Sequence, residues 1–259
     1  MSTFDLAQIS RATGLRHVEY HETLDSTSRL ASELLPELLS QSPALVLTGD
    51  QTAGRGRGAN SWWAMPGALT FTLVLDVAAL NLPPERLPLV SLATGTAVRE
   101  VLAELLPMRT AAIKWPNDVM VGEQKVCGIL AEQRSTAGRR GLLIGIGINV
   151  NNSLSSAPTE VRGRATSLFD LTGHLFDLTD VLVRIITAME STVDGLSTDP
   201  SRVLRDMNVH NILNGRDVVL GVGDTRLHGT CIGISDTGAL QLQTSQGPQT
   251  LVAGTILDW

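Results

Sequence analysis

The segment Lys114 to Leu130 constrains the fold of this chain more than any other. It opens with Lys-Trp-Pro-Asn-Asp, continues as an apolar run, turns at Gly122-Glu123-Gln124 and returns as a second apolar run from Lys125. Two apolar runs around a glycine-containing turn predict a β-hairpin. Its mouth would hold two lysines, an asparagine and an aspartate in fixed geometry, which suits an anion site. Pro-Asn-Asp is also ordinary turn chemistry, so a plain surface turn fits the same residues.

A loop rich in glycine and arginine favours the site over the plain turn. It reads Gln51-Thr-Ala-Gly-Arg-Gly-Arg-Gly58 and lies between an apolar run and Trp62-Trp63. Glycine lets the backbone approach a ligand closely, and guanidinium groups offer paired donors to carboxylate or phosphate. A P-loop or a dinucleotide fingerprint would lead into a helix, whereas this loop leads into a strand. An RNA-binding Arg-Gly tract would be longer and basic.

The composition restricts the class of protein. The chain has 259 residues and a formal net charge of -6, which indicates an acidic globular protein without the basic surface that binds nucleic acid. It contains no apolar run that would span a membrane, and its first ten residues do not resemble a signal peptide, so we expect a cytoplasmic protein. Cys127 and Cys231 are too few for a disulfide framework and are expected to be buried, reduced and free of metal.

Helices and strands alternate over most of the chain, and short strands follow near its end. The clearest helix is predicted over 85–106, where apolar residues recur every fourth position. A second helix is predicted over 26–41, with a break near Pro36. The region after residue 211 reads as four strands with glycine turns, the last over 250–256. We predict an α+β catalytic domain over 1–208, with a central mixed sheet flanked by helices, and a small β-barrel over 209–259.

Two glycines interrupt the apolar strand predicted over 142–149. Because glycine weakens a strand interior, Gly145 and Gly147 indicate the close approach of a ligand or of a neighbouring element. Both readings stay open from the sequence alone. Asn149 follows at the end of the strand, where its carboxamide is suited to pair with the edge of an adenine ring.

Five motifs, in their order and approximate spacing, resemble those of the biotin protein ligase family. They are Asp25-Ser-Thr-Ser28, Gln51-x-Ala-Gly-Arg-Gly-Arg57, Lys114-Trp-Pro-Asn-Asp118, Lys125-x-x-Gly-Ile-Leu130 and Gly147-Ile-Asn149. The resemblance runs from about His21 to the C-terminus. It implies a class II synthetase-like catalytic domain and an SH3-like C-terminal barrel.

The resemblance also implies an enzyme, a biotin--[biotin carboxyl-carrier protein] ligase. Such an enzyme uses ATP and Mg²⁺ to activate biotin as biotinyl-5'-adenylate, and transfers the biotinyl group to one lysine of a biotin carboxyl carrier domain, as in acetyl-CoA carboxylase. This reaction needs neutralised charge, alignment and exclusion of water rather than an enzyme nucleophile. The arginines, lysines and glycines of the five motifs suit those needs.

The resemblance assigns roles to individual residues. Biotin would be bound by Ser26, Thr27, Gln51, Gly54, Arg55, Arg57, Lys125 and Gly128. ATP or the adenylate would be bound by Arg55, Arg57, Trp62, Asn117, Lys125 and Asn149. The catalytic residues would be Lys125, Arg57, Arg55 and Asp118. Lys125 would bridge the biotin carboxylate and the α-phosphate, and Asp118 would orient or deprotonate the acceptor lysine. Phosphates and water would hold most of the Mg²⁺, so no metal ligand is assigned.

Two departures from the family pattern bear on function. Many relatives continue the glycine-arginine loop with a further Arg-Gly-Arg, whereas this chain reads Gly58-Ala-Asn-Ser61, so we expect a weaker grip on the adenylate. About twenty residues precede Asp25, too few for the winged helix-turn-helix domain of some relatives, so we expect no DNA binding.

Other functions and assemblies remain compatible with the sequence. A lipoate or other acyl-carrier ligase would share the architecture, and a non-catalytic biotin or nucleotide sensor would share the binding site. The chain is expected to be a monomer or a homodimer, since an exposed sheet edge would allow a second copy to pair.

Overall fold

Residues 4–259 are described by a computed structural model, in which a larger mixed sheet with flanking helices precedes a smaller antiparallel sheet. The first nine strands are β1 His17–Leu24, β2 Ala44–Gln51, β3 Gly54–Arg55, β4 Ser61–Trp62, β5 Leu69–Asp76, β6 Ala111–Lys114, β7 Asp118–Val121, β8 Gln124–Thr136 and β9 Arg139–Ile148. The helices are α1 Leu6–Ala12, α2 Thr27–Glu33, α3 Leu35–Ser40, α4 Leu89–Leu105, α5 Leu168–Thr172, α6 Leu178–Thr198 and α7 Pro200–Val209.

The larger sheet has the strand order β1-β2-β5-β9-β8-β7-β6. Its first pair, β1 with β2, is parallel, and its other neighbouring pairs are antiparallel. The prediction of a central mixed sheet flanked by helices is confirmed. The predicted hairpin is present as β7 and β8, and β6 extends it by pairing Lys114 with Asp118.

The helices begin and end where proline and the apolar pattern require. The helix predicted over 85–106 begins later, at Leu89, because Pro84 and Pro88 keep the preceding residues in a 3₁₀ turn and an N-cap. Its buried face packs against α6 and the hairpin strands. The helix predicted over 26–41 is two helices, which meet at Leu34, two residues before Pro36.

The smaller sheet consists of β10 Asp217–Val222, β11 Thr225–Ile234, β12 Leu240–Thr244, β13 Gly247–Leu251 and β14 Thr255–Asp258. Its order is β13-β12-β11-β10-β14, and all its pairs are antiparallel. The single strand predicted over 250–256 is wrong, because the chain bends between Leu251 and Thr255. These three intervening residues join the two edges of the sheet, so the sheet must curl strongly.

The small C-terminal β-barrel predicted from the sequence corresponds to this curled antiparallel sheet, which is not a closed barrel. Within residues 4–259 no ladder pairs β13 with β14, so the curled sheet stays open at that seam. The boundary at residue 208 stays a prediction; α7 ends at Val209 and β10 begins at Asp217. The two parts are joined by contacts that include a hydrogen bond of 3.0 Å from Trp115 Nε1 to the carbonyl of Gly238.

The two cysteines are buried, as predicted. Burial raises the pKa of the Cys127 thiol and that of the Cys231 thiol, so both are protonated. Within residues 4–259, no helix combines the length and the apolar character needed to cross a bilayer.

Candidate active site

A cavity of about 1100 Å³ opens where the hairpin, the glycine-arginine loop and the smaller sheet meet. It is the space into which most of the predicted site residues project. Its lining includes the predicted Ser26, Thr27, Gln51, Arg55, Arg57, Trp62, Asn117, Asp118, Lys125 and Gly128. Gly54 and Asn149 do not line it. The motifs that are distant in sequence are therefore brought to one place.

A β-bulge sets the position of Lys125 near the turn of the hairpin, from which its ammonium reaches Asp118 at the mouth. The register of β7 and β8 shifts by one residue, so that Cys127 pairs with Val119 while Lys125 pairs with Met120. Such a bulge bends the strand and redirects its side chains. Lys125 Nζ then lies 2.6 Å from Asp118 Oδ1 and 5.7 Å from the centre of the Trp62 ring. The two predicted catalytic groups thus form an ion pair.

Asn117 holds the hairpin closed. Its side-chain Nδ2 donates to the carbonyl of Ile129 at 2.7 Å, and its own carbonyl accepts from Ile129 N at 2.9 Å. Both bonds tie the turn to β8. The carboxamide therefore fixes the position of Asp118, its neighbour, while its Oδ1 faces Arg57 at 3.4 Å.

The end of the cavity beside α2 is a polar floor without charge. Gln51 Oε1 accepts hydrogen bonds from Thr27 N at 2.9 Å and from Thr27 Oγ1 at 3.2 Å. Thr72 Oγ1 donates to Thr27 Oγ1 at 2.9 Å and lies 3.1 Å from Ser28 Oγ. Ser26 is the N-cap residue of α2, but its side chain makes no capping bond. Buried hydroxyl and amide groups of this kind suit a neutral polar ligand.

The glycines in the sheet make room for side chains of the site. A Cβ on Gly147 would lie 2.3 Å from Trp62 Cε2, so the indole ring covers this part of β9. A Cβ on Gly128 would lie 2.9 Å from Lys125 Nζ, and one on Gly54 would lie 2.5 Å from the carbonyl oxygen of Trp62. The close approach inferred from Gly147 is therefore made by Trp62.

We expect Gly147→Ala to lower the free energy of unfolding by about 1–3 kcal/mol, because the added methyl group overlaps the Trp62 ring. The matched control is Gly95→Ala in α4, where a Cβ would meet its nearest atom at 3.6 Å. Alanine favours a helix, so this control is expected to be neutral or stabilising. Chemical denaturation measures both variants. Equal stability of the two would contradict the packing described for Trp62.

The two arginines of the glycine-arginine loop have different partners. Arg55 forms a paired contact with Glu132, with nitrogen–oxygen distances of 3.1 and 3.2 Å. Arg57 Nη1 lies 3.4 Å from Asn117 Oδ1 and 3.4 Å from the carbonyl of Gly254 in the smaller sheet. The contacts of Arg57 are long and connect the loop, the hairpin and the smaller sheet. Arg55 lines the cavity while it is paired with Glu132.

The cavity is positively charged although the chain is acidic. Its lining contains six basic residues, namely Arg55, Arg57, Lys114, Lys125, Arg164 and Arg226, and three acidic residues, namely Asp118, Glu160 and Asp224. Burial lowers the pKa of Lys114, the charge of Asp118 raises it, and the charges of Lys125 and Arg164 lower it further. Such a surface attracts anions into the cavity.

Asn149 lies behind the cavity wall. It is buried, its Nδ2 donates to the carbonyl of Thr166 at 3.1 Å, and its Oδ1 accepts from Asn152 Nδ2 at 3.1 Å. The buried Oδ1 of Asn152 has no hydrogen-bond partner within the described part of the chain. Both ends of the Asn149 carboxamide are thus bonded within the protein, and the side chain does not line the cavity.

The motifs did not identify several residues of the cavity wall. Glu160, Arg164, Asp224, Arg226 and Gly254 line it, and they belong to the loop after β9 and to the smaller sheet. A signal for one of them was present: Arg162-Gly163-Arg164 repeats the Arg-Gly-Arg pattern of residues 55–57. Within residues 4–259, no group of three or more His, Cys, Asp or Glu side chains is placed to hold a metal ion.

Two family models match the chain. The model of the biotin/lipoate A/B protein ligase family matches residues 20–151, and that of the biotin protein ligase C terminal domain matches residues 215–257. The first match spans half of the chain and includes the hairpin and the glycine-arginine loop. The second spans the smaller sheet.

Individual proteins give the same result. The chain is 31% identical over 246 residues to the bifunctional ligase/repressor BirA of Bacillus subtilis, covering 93% of this chain and 74% of that protein. It is 30% identical to a biotin--[acetyl-CoA-carboxylase] ligase of Paracoccus denitrificans, covering 90% of this chain and 96% of that one. The structure of an Aquifex aeolicus biotin protein ligase in complex with biotin and ATP superimposes with a TM-score of 0.79, at 28% identity, covering 93% and 97% of the two chains. The chain therefore belongs to the biotin/lipoate A/B protein ligase family, as one of its biotin protein ligases.

Proposed function

We propose that this enzyme activates biotin with ATP as biotinyl-5'-adenylate and transfers the biotinyl group to one lysine of a biotin carboxyl carrier domain of the acetyl-CoA carboxylase type. The observation that carries this proposal is the order of groups along the cavity. The uncharged polar floor lies beside Gly145, the Lys125–Asp118 ion pair lies two residues farther along the strands beside Gly128, and Arg55 and Arg57 also line the cavity. This order matches a ligand with a neutral polar ring and an anionic tail.

The floor is proposed to bind the ureido ring of biotin. Its polar groups, in Ser26, Thr27 and Gln51, can donate and accept hydrogen bonds. Leu130 pairs with Gly145, which lies against Ser28 beside the floor, and Gly128, two residues away along β8, lies against Lys125 Nζ. Two residues of strand span roughly 7 Å at about 3.3 Å per residue. An acyl tail that runs along β8 from the floor would bring its carboxylate beside Lys125.

Adenylate formation is proposed to depend on Lys125. An oxygen of the biotin carboxylate attacks the α-phosphorus, an O–P bond forms, and the bond from that phosphorus to the bridging oxygen of pyrophosphate breaks. Both reactants are anions, so they meet only where their charge is neutralised. The Lys125 ammonium would stabilise the charge that develops between them. Arg57, and Arg55 once it leaves Glu132, would neutralise the phosphate.

Transfer to the carrier is proposed to depend on Asp118. The acceptor amine must lose its charge before its lone pair attacks the acyl carbon. An amide bond then forms, the bond between the acyl carbon and the adenylate oxygen breaks, and AMP leaves. The Asp118 carboxylate stands at the hairpin mouth, where it can orient the amine and accept its proton. Trp62 would exclude water from the adenylate, and Asn117 would hold the hairpin in position.

We propose that Mg²⁺ enters with ATP, held by phosphate oxygens and water as is usual for this ion. Three carboxylates line the cavity, those of Asp118, Glu160 and Asp224. Carboxylate oxygens are ligands of the kind that binds Mg²⁺. When bound, the ion would neutralise part of the phosphate charge.

We propose further that the catalytic domain comprises residues 1–208 and that the smaller sheet domain comprises residues 209–259. The smaller sheet domain contributes Arg226 and Gly254 to the cavity wall. The enzyme acts in the cytoplasm, where its carrier is made, and does not bind DNA. It works as a monomer or as a homodimer, for which the outer edge of β1 offers a strand.

The test is transfer to a purified carrier domain. With ATP, Mg²⁺ and biotin, the carrier is expected to gain the mass of one biotinyl group, measured by intact-mass spectrometry. The matched control is the same carrier with its acceptor lysine changed to arginine, which should gain nothing. A mass gain with lipoate and none with biotin would reassign the enzyme to the lipoate ligases. No gain with either acid would favour a non-catalytic sensor.

A further inference from the structure

Arg164 is a cavity-lining cation to which neither the motifs nor the family resemblance gives a function. Its carbonyl accepts a hydrogen bond from Lys125 N at 2.8 Å, and Ala165 forms a bridge with Lys125. The Arg164 side chain is exposed to the cavity, and within the part of the chain that the structure describes it forms neither a hydrogen bond nor an ion pair. Its guanidinium group is therefore available to an anion.

Three cations converge at this end of the cavity. Burial is the largest cause of the lowered pKa of Lys114, and the positive charges of Lys125 and Arg164 lower it further because they repel the Lys114 ammonium. The Asp118 carboxylate lies 2.6 Å from Lys125 and neutralises part of this charge. Glu160 also lines the cavity. Its carboxylate is exposed and forms no hydrogen bond or ion pair within residues 4–259. A multiply charged anion would relieve the remaining repulsion.

The tip of the glycine-arginine loop adds no charge to the cavity. Gly58, Ala59 and Asn60 line the cavity, and the loop is closed by a hydrogen bond of 2.8 Å from Gly56 N to the carbonyl of Asn60. A second Arg-Gly-Arg, residues 162–164, follows β9 and contributes Arg164 to the lining. Arg164 therefore supplies a cation that the loop tip does not.

We propose that Arg164, together with Lys114, binds the β- and γ-phosphates of ATP and the pyrophosphate that departs. This inference rests on the proposed function, in which biotin lies on the polar floor and the α-phosphate lies beside Lys125. Arg164 is joined to Lys125 at the end of β8 remote from that floor, so the phosphates beyond the α-phosphate reach it. When the bond to the α-phosphorus breaks, the electron pair moves to an oxygen of pyrophosphate. The guanidinium stabilises that charge.

The test compares Arg164→Gln with Arg162→Gln. Arg162 belongs to the same Arg-Gly-Arg segment, but its guanidinium bonds the carbonyl of Ala157 and does not line the cavity. For Arg164→Gln we expect KM for ATP to rise about tenfold or more, and inhibition by pyrophosphate to weaken by a similar factor, because a charge-assisted contact is lost. KM for biotin should not change. Arg164→Lys should recover part of the loss.

Two measurements separate this role from a structural one and from the proposed function. Transfer from chemically prepared biotinyl-5'-adenylate to the carrier should be the same in Arg164→Gln and in the wild type, because that step involves no pyrophosphate. A loss of transfer equal to the loss of adenylation, or a KM for ATP equal to that of Arg162→Gln, would overturn the inference. Binding of pyrophosphate alone, measured by calorimetry, needs no turnover. If it depends on Arg164 in a protein that does not biotinylate the carrier, only the proposed function fails.

Discussion

Replacing Lys125 with alanine is expected to slow adenylate formation by about 10²- to 10³-fold, since it removes the cation proposed to stabilise the charge between carboxylate and α-phosphate. The bulge in β8 fixes this side chain 2.6 Å from Asp118. The only other lysine in the sequence is Lys114, which lines the same cavity but is not paired with Asp118 in an ion pair. The release of pyrophosphate, followed in the presence of biotin and ATP, measures the effect.

The fold should survive this substitution. The Lys125–Asp118 pair is partly exposed, so its loss is expected to cost on the order of 1 kcal/mol or less in the free energy of unfolding. The matched control is Arg140→Ala, which removes an exposed cation from β9 outside the cavity and should leave pyrophosphate release unchanged. Undiminished release by the Lys125 variant would show that another group performs this role.

The sequence predicted the hairpin well because its pattern is local. Apolar runs, a glycine turn and a proline before the mouth are sufficient to define two paired strands, and they occur within seventeen residues. The bulge that places Lys125 could not be read in this way. It depends on how β8 pairs with β7 and β9 at once, which is a property of the assembled sheet.

The part of the cavity wall that was predicted from the sequence is the part that local motifs encode. Residues of the glycine-arginine loop and of α2 belong to recognisable motifs, and they line it. Arg226 and Gly254 come from the smaller sheet, whose position over the hairpin is set by contacts such as that of Trp115 with Gly238. No local pattern encodes such a contact. The open seam of the smaller sheet has a similar origin, because strand closure depends on curvature rather than on the alternation of apolar residues.

Gly147 illustrates an ambiguity that only the structure resolves. Its presence in a strand indicated a close approach, and the sequence did not distinguish a ligand from a protein group. The Trp62 ring is the group that approaches. The indole also lines the cavity. One side chain thus both packs on β9 and forms part of the cavity wall.

Replacing Arg57 with glycine is expected to have the second large effect, a faster escape of the adenylate. The Arg57 guanidinium spans the loop, the hairpin and the smaller sheet through contacts of 3.4 Å, which are long for hydrogen bonds. It is therefore weakly held and free to bind phosphate. Loss of this charge-assisted contact should accelerate adenylate release about 10- to 100-fold.

Escaped adenylate acylates amines in solution, so the measurement is biotin incorporation into an added lysine-rich bystander protein, detected by blotting. The enzyme itself is a poor reporter, because both of its lysines lie in the cavity and its exterior offers arginines, which are not acylated under these conditions. The matched variant is Arg55→Gly in the same loop. In the wild type, Arg55 is paired with Glu132. Loss of Arg55 should therefore release less adenylate than loss of Arg57 does. If the bystander stayed unlabelled with Arg57→Gly, Arg57 would not retain the adenylate, and the exclusion of water and amines would rest on Trp62 and the smaller sheet instead.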